Sequence, residues 1–237
     1  MRELTGQRAI ISGATGGMGQ TVARAFARVG IETALFGRNE DKLSALAEEC
    51  EELGGSAITV TCDISKPDDI PHAVERAIKN LGGLNILFNA AGISKSGKAH
   101  EVDLTNWNAM LDTNLRAHYT LARYALPEIN KTPGGAVIKI GSIAVAHATQ
   151  AMQLVVSRAL DGYADCLFDD VREFGTKVCT IRPGFVDTPL VNADNKDRTK
   201  MIAPEDIAET VLFVLRMSER TCPTEIVLRP QRTPYKK

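Results

Sequence analysis

Short apolar runs alternate with longer amphipathic stretches along the whole chain. Runs near Arg8–Ser12, Glu32–Phe36, Ala57–Cys62, Ile86–Asn89, Ala136–Gly141, Lys177–Arg182 and Ile226–Leu228 predict strands. Helical periodicity fills the intervals, at roughly Met18–Val29, Glu40–Leu53, Pro67–Leu81, Leu104–Ile129, Met152–Phe174 and Pro204–Met217. Gly54-Gly55, Gly82-Gly83, Pro133-Gly134-Gly135 and Pro183-Gly184 punctuate the breaks. Pro204 suits a first helical position, with Glu205 and Asp206 at the positive end of the helix dipole. Strands separated by helices argue for a mostly parallel sheet covered on both faces. The prediction is a three-layer, doubly wound α/β fold with seven strands, forming one domain over residues 1–237. Right-handed crossovers then place ligands outside the carboxyl ends of the strands.

The composition is that of an ordinary globular chain: 237 residues, 44% hydrophobic and 24% charged. A net charge of −1 gives no basis for broad attraction to nucleic acid or to an anionic membrane, and neither is expected as a partner. Apolar runs such as Val211–Leu215 are too short to span a bilayer. No signal-like segment precedes the strand at Arg8, and the five scattered cysteines lack zinc or CxxC spacing. Reduced thiols and a cytoplasmic location are therefore expected.

The first strand runs directly into Ser12-Gly13-Ala14-Thr15-Gly16-Gly17-Met18-Gly19 and then into a helix. A turn this tight requires residues free to take positive φ, and a pyrophosphate approaching the backbone leaves no room for a Cβ. The helix N-terminus supplies unpaired N–H groups and a positive dipole to the phosphates. In this strand–turn–helix context the glycines predict a Rossmann fold that binds a nicotinamide dinucleotide. The second strand ends Phe36-Gly37-Arg38-Asn39. Arg38 stands where NAD sites place an acid for the ribose 2′-hydroxyl, and a guanidinium there suits a 2′-phosphate. NADP(H) is thus preferred, with NAD(H) as the alternative.

The chain resembles the short-chain dehydrogenase/reductase family over nearly its whole length. The family's TGxxxGxG motif is matched by Ser12 to Gly19, and its adenine-binding aspartate by Asp63, followed by Ile64. Its NNAG motif is matched by Asn89-Ala90-Ala91-Gly92, its helix-borne asparagine by Asn114, and its PG motif and following threonine by Pro183-Gly184 and Thr188. The resemblance implies cofactor contacts at Gly13, Thr15, Gly16, Gly17, Met18, Gly19, Arg38, Asp63, Ile64, Asn89, Ala90, Ala91, Gly92, Pro183, Gly184 and Thr188. It also implies hydride transfer between NAD(P) and a small carbonyl or alcohol, and assembly into a homodimer or homotetramer. The family's catalytic serine is similar to Ser142, with Asn114 completing the catalytic set.

The family's tyrosine and lysine, spaced YxxxK, should follow Ser142 by about a dozen residues. The chain there reads Gln153-Leu154-Val155-Val156-Ser157-Arg158-Ala159. Three alignments are open, placing Gln153/Ser157, Leu154/Arg158 or Val155/Ala159 at the two positions. Leu154/Arg158 is the most natural, since Ser157-Arg158 imitates the family's Ser-Lys pair. None supplies a phenol, and Tyr163 is followed four residues later by Leu167. Arg158 offers charge but cannot shuttle protons. General acid–base help is worth typically ~10²–10⁴-fold, so its loss leaves a slow enzyme at best.

His147, five residues beyond Ser142, could deliver a proton, although a surface-loop histidine fits its context better. Tyr119 with Arg123 gives a YxxxR spacing one strand too early and reads as helix packing. Cys179 reads as core, and the pairs Asp68-Asp69 and Asp169-Asp170 as solvated faces, so no metal is assigned. Val155, Ala159, Cys166 and Phe174 recur at near-helical spacing, consistent with core or a subunit face. Residues 185–203 read as a polar loop over the substrate site. The expectation is an NADP(H)-binding homologue of the family with a degenerate catalytic centre and a regulatory or non-redox role. The alternative is an active reductase working through Ser142 with water or His147, or an altered-site form of one.

Overall fold

The structure, a computed structural model, describes residues 2–95, 98, 100–132, 134–143, 151–191 and 194–236, with residues 151 and 152 described in backbone only. Seven strands form one parallel sheet in the order β3-β2-β1-β4-β5-β6-β7: β1 (Arg8–Ser12), β2 (Glu32–Gly37), β3 (Ala57–Thr61), β4 (Ile86–Asn89), β5 (Ala136–Ile140), β6 (Lys177–Pro183) and β7 (Glu225–Leu228). Every pairing is parallel, one step beyond the mostly parallel sheet expected from sequence.

The near-continuous apolar strands are explained by burial on both faces. Side chains alternate between two cores. Ile11, Leu35, Phe88 and Ile138 pack under α1 (Gly17–Arg28), α2 (Glu40–Glu52) and α7 (Pro204–Arg216), through Phe26, Leu43 and Val211. Their neighbours Ile10, Phe36, Leu87 and Val137 face α3 (Asp69–Leu81), α5 (Ala117–Ile129) and α6 (Ala151–Val171), through Ile70, Leu121 and Leu167. Each large side chain so buried contributes about 1.5–3 kcal/mol. At α7 the Asp206 carboxylate accepts from the Ala203 N–H at 3.1 Å, closing the helix start where Pro204 predicted it.

The stretch expected as one helix over Leu104–Ile129 is three pieces: α4 (Leu104–Leu111), a π-helical turn at Asp112–Arg116, and α5. The wide turn carries Asn114, whose Nδ2 donates to Ile93 O and whose Oδ1 accepts from Ile93 N, both at 2.8 Å. Periodicity misses such a turn because no proline or glycine marks it. Among the described residues no helix is long and apolar enough to cross a membrane.

The sheet order reverses between β1 and β4, since the chain leaves β1 towards β2 and β3, then returns to the other side. The loops diverge there at the carboxyl ends and open a crevice.

Candidate functional site

That crevice is a cleft of about 850 Å³. Its floor is the segment after β4 (Ala90, Ala91, Gly92), one wall is α6, and the outer wall is formed by Phe185, Leu190, Lys196 and Tyr235. Met18, Asn114, Ser142, Pro183, Gly184 and Thr188 also line it, so the glycine turn and the serine share one space.

The turn between β1 and α1 is shaped by what its glycines exclude. Gly13 has φ +68°, and a Cβ there would lie 2.7 Å from Ala91 Cα; one on Gly19 would lie 2.2 Å from Gly13 O. A Cβ on Gly17 would meet the Thr188 side chain at 2.6 Å, which places buried Thr188 against the first turn of α1. Gly16 caps α1 without a side-chain hydrogen bond, and no acid occupies the first turn. The helix therefore presents unpaired N–H donors and an uncompensated positive end, the requirements of a pyrophosphate cradle. Gly19→Ala is expected to displace this turn, at a cost of about 1–3 kcal/mol. Dinucleotide binding should be lost while the circular-dichroism spectrum stays folded; unaltered binding would show that the turn does not carry the phosphates.

At the far end of the cradle, Arg38 is exposed just beyond β2 and has no ion pair among the described residues. Asp63 follows β3, its carboxylate accepting from Ser65 N at 3.1 Å and from Ser65 Oγ at 2.8 Å. Ile64 beside it is half-buried. Asn89 is buried at the end of β4, where its Oδ1 accepts from Ser12 Oγ at 3.1 Å. Thus β1 and β4 are tied together directly beneath the turn.

The opposite end holds the residues sequence reasoning singled out for chemistry. Ser142 lines the cleft, and α6 faces it through Gln153, Val156, Ser157 and Leu160. Positions 153, 157 and 160 share one helix face, whereas residue 158 lies a further 100° around the helix. Arg158 is accordingly exposed, and Leu154 does not line the cleft. Of the three spacings open in the sequence, only Gln153/Ser157 points at the cleft. The Gln153 Oε1 is buried without a hydrogen-bond partner. Asn114 reaches the cleft wall, but its carboxamide is consumed by Ile93. His147 lies outside the described residues.

The remaining candidates separate cleanly. Tyr163 stacks on Tyr119 with ring centroids 5.4 Å apart; neither lines the cleft, and burial raises the Tyr163 phenol well above its ordinary value. Burial likewise pushes the Cys179 thiol up to about 12, as a core cysteine should behave. Asp68, Asp69, Asp169 and Asp170 are exposed, and no metal-holding cluster exists among the described residues. Val155, Ala159, Cys166 and Phe174 form an exposed face of this chain; the core side of α6 is Val156, Leu160, Ala164, Leu167 and Val171.

Three features went unread in the sequence. His118 on α5 lines the cleft at 2% exposure, its Nε2 2.9 Å from Ala91 O. Burial lowers its pKa to about 4, with the Lys139 charge adding to the effect, so the ring is neutral and Nε2–H donates to Ala91. Between pH 6.5 and 4 the unfolded chain therefore binds more protons than the folded one, and stability falls as pH drops through that window. Thermal midpoints should decline from pH 7 to pH 5, and His118→Phe should flatten the decline; an equal slope in the variant would reject the assignment.

The second feature is a charge cluster below the cleft. Lys139, 3% exposed on β5, lies 3.7 Å from Asp161, which also pairs with Arg182 at 3.0 Å. Burial brings the Lys139 pKa down to about 8. A lysine within the apolar run Ala136–Ile140 was the available signal, because a charge at an inward strand position demands a partner.

The third is the C-terminal tail. Asp197 N donates to Pro234 O at 2.7 Å, Lys236 N to Asn195 O at 3.0 Å, and Lys196 bridges Tyr235. The Lys196 ammonium sits 5.0 Å from the Phe185 ring centroid and 5.4 Å from that of Tyr235. Scattered prolines and a lone tyrosine gave no periodicity from which to read it.

A doubly wound parallel sheet with a glycine turn at its switch point defines a protein of the dinucleotide-binding Rossmann class. Within that class, the short chain dehydrogenase family profile matches residues 7–199, and the chain belongs to this family. An uncharacterized oxidoreductase of Staphylococcus aureus (strain MRSA252) is 31% identical over 232 residues, covering 97% of this chain and 100% of the relative. A short chain dehydrogenase from Burkholderia cenocepacia J2315, solved in complex with NADP, superposes with a TM-score of 0.87 at 26% identity, covering 96% and 97% of the two chains. A metagenomic short-chain oxidoreductase in complex with NADP gives 0.85 at 26% identity, covering 98% and 100%.

Proposed function

We propose that this chain binds NADP(H) in the crevice and carries a degenerate catalytic centre, supporting weak or no standard carbonyl–alcohol oxidoreduction. The cofactor half rests on the glycine cradle, on Arg38 at the end of β2, and on the NADP complexes of its structural neighbours. Gly13, Gly17 and Gly19 would admit the pyrophosphate, Asp63 and Ile64 would flank the adenine, and Arg38 would take the 2′-phosphate. When bound, the nicotinamide supplies the hydride-transfer chemistry.

One observation carries the catalytic half: the face of α6 opposite Ser142 presents Gln153 and Ser157. Ser142 can donate a hydrogen bond to a carbonyl oxygen. Gln153 can orient one, but an amide has no proton to give up near neutral pH. Ser157 carries no charge, and Arg158 points away from the cleft. General acid help is worth ~10²–10⁴-fold, and no described side chain on this face provides it. The binding pocket is retained while proton delivery is lost, which suits a regulatory or non-redox role.

Fluorescence titration with NADPH and NADH, followed by steady-state turnover on a panel of ketones and aldehydes, tests both halves. Saturable NADPH binding is expected, with turnover below the usual enzyme range of ~1–10³ s⁻¹. Rates within that range would overturn the degenerate-centre reading; failure to bind either nucleotide would overturn the cofactor reading.

We also propose that exposed Tyr119, Tyr124 and Val155, on α5 and α6, dock a second copy of the chain in a homodimer or homotetramer. Sedimentation equilibrium reads this directly, and a monomer at micromolar concentration would reject it.

A further inference from the structure

One wall of the cleft carries a charge that the cofactor reading leaves unused. Among the described residues lining the cleft, Lys196 is the only lysine or arginine, and no aspartate or glutamate joins it. His118, the remaining basic side chain there, is neutral because burial lowers its pKa to about 4. Of the acids near Lys196 in the loop, Asp187 pairs with Arg198 and Asp197 with Lys200.

This ammonium is held in place rather than left to trail in solvent. Lys196 is half-buried, and its Nζ lies over the rings of Phe185 and Tyr235, which meet edge to face with centroids 5.6 Å apart. Nζ also donates to Asn195 Oδ1 at 3.0 Å. The backbone of Lys196 pairs with that of Tyr235, and the flanking hydrogen bonds from Asp197 to Pro234 and from Lys236 to Asn195 fix the two segments together. A lysine fixed in this way gives up rotamer freedom that an ordinary surface lysine keeps. Around it the wall is apolar. Leu190 and Tyr235 are large and exposed, and with Val191 and Phe185 they border the cleft. Exposed apolar surface around one fixed polar group, on a concave wall, is the make-up of a small-molecule site.

We propose that Lys196 anchors a carboxylate on the carbonyl or alcohol compound that the cleft accepts, whose hydrocarbon body lies against Phe185, Leu190 and Tyr235. This inference rests on the reading above that the crevice holds NADP(H). The dinucleotide's own phosphates have their donors at the start of α1, where the helix end is uncompensated, and so do not call for this ammonium. Ser142 shares the cleft and can donate to the carbonyl oxygen while the far end of the ligand reaches Lys196. One cation with no second beside it matches a monoanion; a dianionic phosphate is ordinarily met by several charged donors or an arginine fork. A cationic ligand is disfavoured by the same charge. The tail at Tyr235 thereby becomes part of the ligand site, because it holds both the ammonium and one of the apolar surfaces beside it.

Calorimetric titration in excess NADP⁺ tests the assignment without turnover, since ketone and cofactor are then both oxidised. The probes are methyl ketones that end in a carboxylate, with two, four or six methylene groups between the two functions, and the matching terminal amides. In the unaltered chain the best-fitting acid should bind about 3- to 10-fold more tightly than its amide, between the worth of an exposed ion pair and that of a desolvated one. Lys196→Met should erase that preference, Lys196→Arg should keep it, and neither should change NADP⁺ affinity. Acids that bind no better than their amides at every length, or that do not bind, would overturn the proposal, and this comparison needs no variant. A preference that survives Lys196→Met would overturn it too. So would weakened NADP⁺ binding in that variant, which would assign the ammonium to the cofactor. Absence of NADP⁺ binding in the unaltered chain would instead defeat the cofactor reading beneath it.

Discussion

Gln153→Tyr together with Ser157→Lys is expected to raise NADPH-dependent carbonyl reduction by about 10²–10⁴-fold over the unaltered chain. Both positions lie on the α6 face that lines the cleft with Ser142. The substitution places a phenol beside the serine hydroxyl and an ammonium one helical turn behind it. A phenol begins near pKa 10, and a neighbouring cation lowers it towards a useful value. Gln153→Tyr alone should recover less, because the phenol then has no cation to tune it. Ser142→Ala added to the pair should remove the gain. The decisive comparison is Leu154→Tyr with Arg158→Lys, the pairing the sequence itself makes most natural. Arg158 is exposed, so that pair should give no acceleration. Equal gains from the two pairs, measured as initial rates on one ketone, would reject the register proposed for α6.

Arg38→Asp should reverse cofactor choice. A guanidinium on a 2′-phosphate forms charge-assisted hydrogen bonds worth about 1.5–3 kcal/mol, or roughly 10- to 100-fold in affinity. An aspartate there repels that phosphate and accepts from a ribose 2′-hydroxyl instead. NADPH affinity should therefore fall by at least tenfold while NADH affinity rises. Arg38 has no other ion pair among the described residues, so the change releases no structural contact that would confuse the result. Unchanged NADPH affinity would mean that the 2′-phosphate lies elsewhere.

The architecture was legible because its signals are local. Apolar runs marked all seven strands, three of them preceded by glycine pairs, and β1 and β4 fall on the residues expected. The glycine turn was equally plain, since excluded Cβ atoms leave their trace in residue type. The face of α6 was harder. One residue of register swings a side chain by 100°. Val155 and Ala159 look like a core stripe in sequence and are exposed, while Val156 and Leu160 beside them are buried. The Ser157-Arg158 dipeptide shows the same difficulty, because likeness to a motif does not set the angle at which a helix meets the sheet, and Arg158 is exposed. His118 and the tail at Tyr235 were invisible for a different cause. Each acquires meaning only from a partner distant in sequence, Ala91 in one case and Lys196 in the other.

The tail carries a consequence for the order in which the molecule is completed. The phosphate cradle draws on β1, β2 and β4, all within the first 92 residues and paired side by side. Tyr235 and Pro234, which clasp Lys196 and Asp197, come far later in the chain. Vectorial synthesis thus exposes the nucleotide-facing half long before the outer wall can close. Whatever molecule occupies the remainder of the cleft can be recognised only once the segment around Tyr235 has been made and docked.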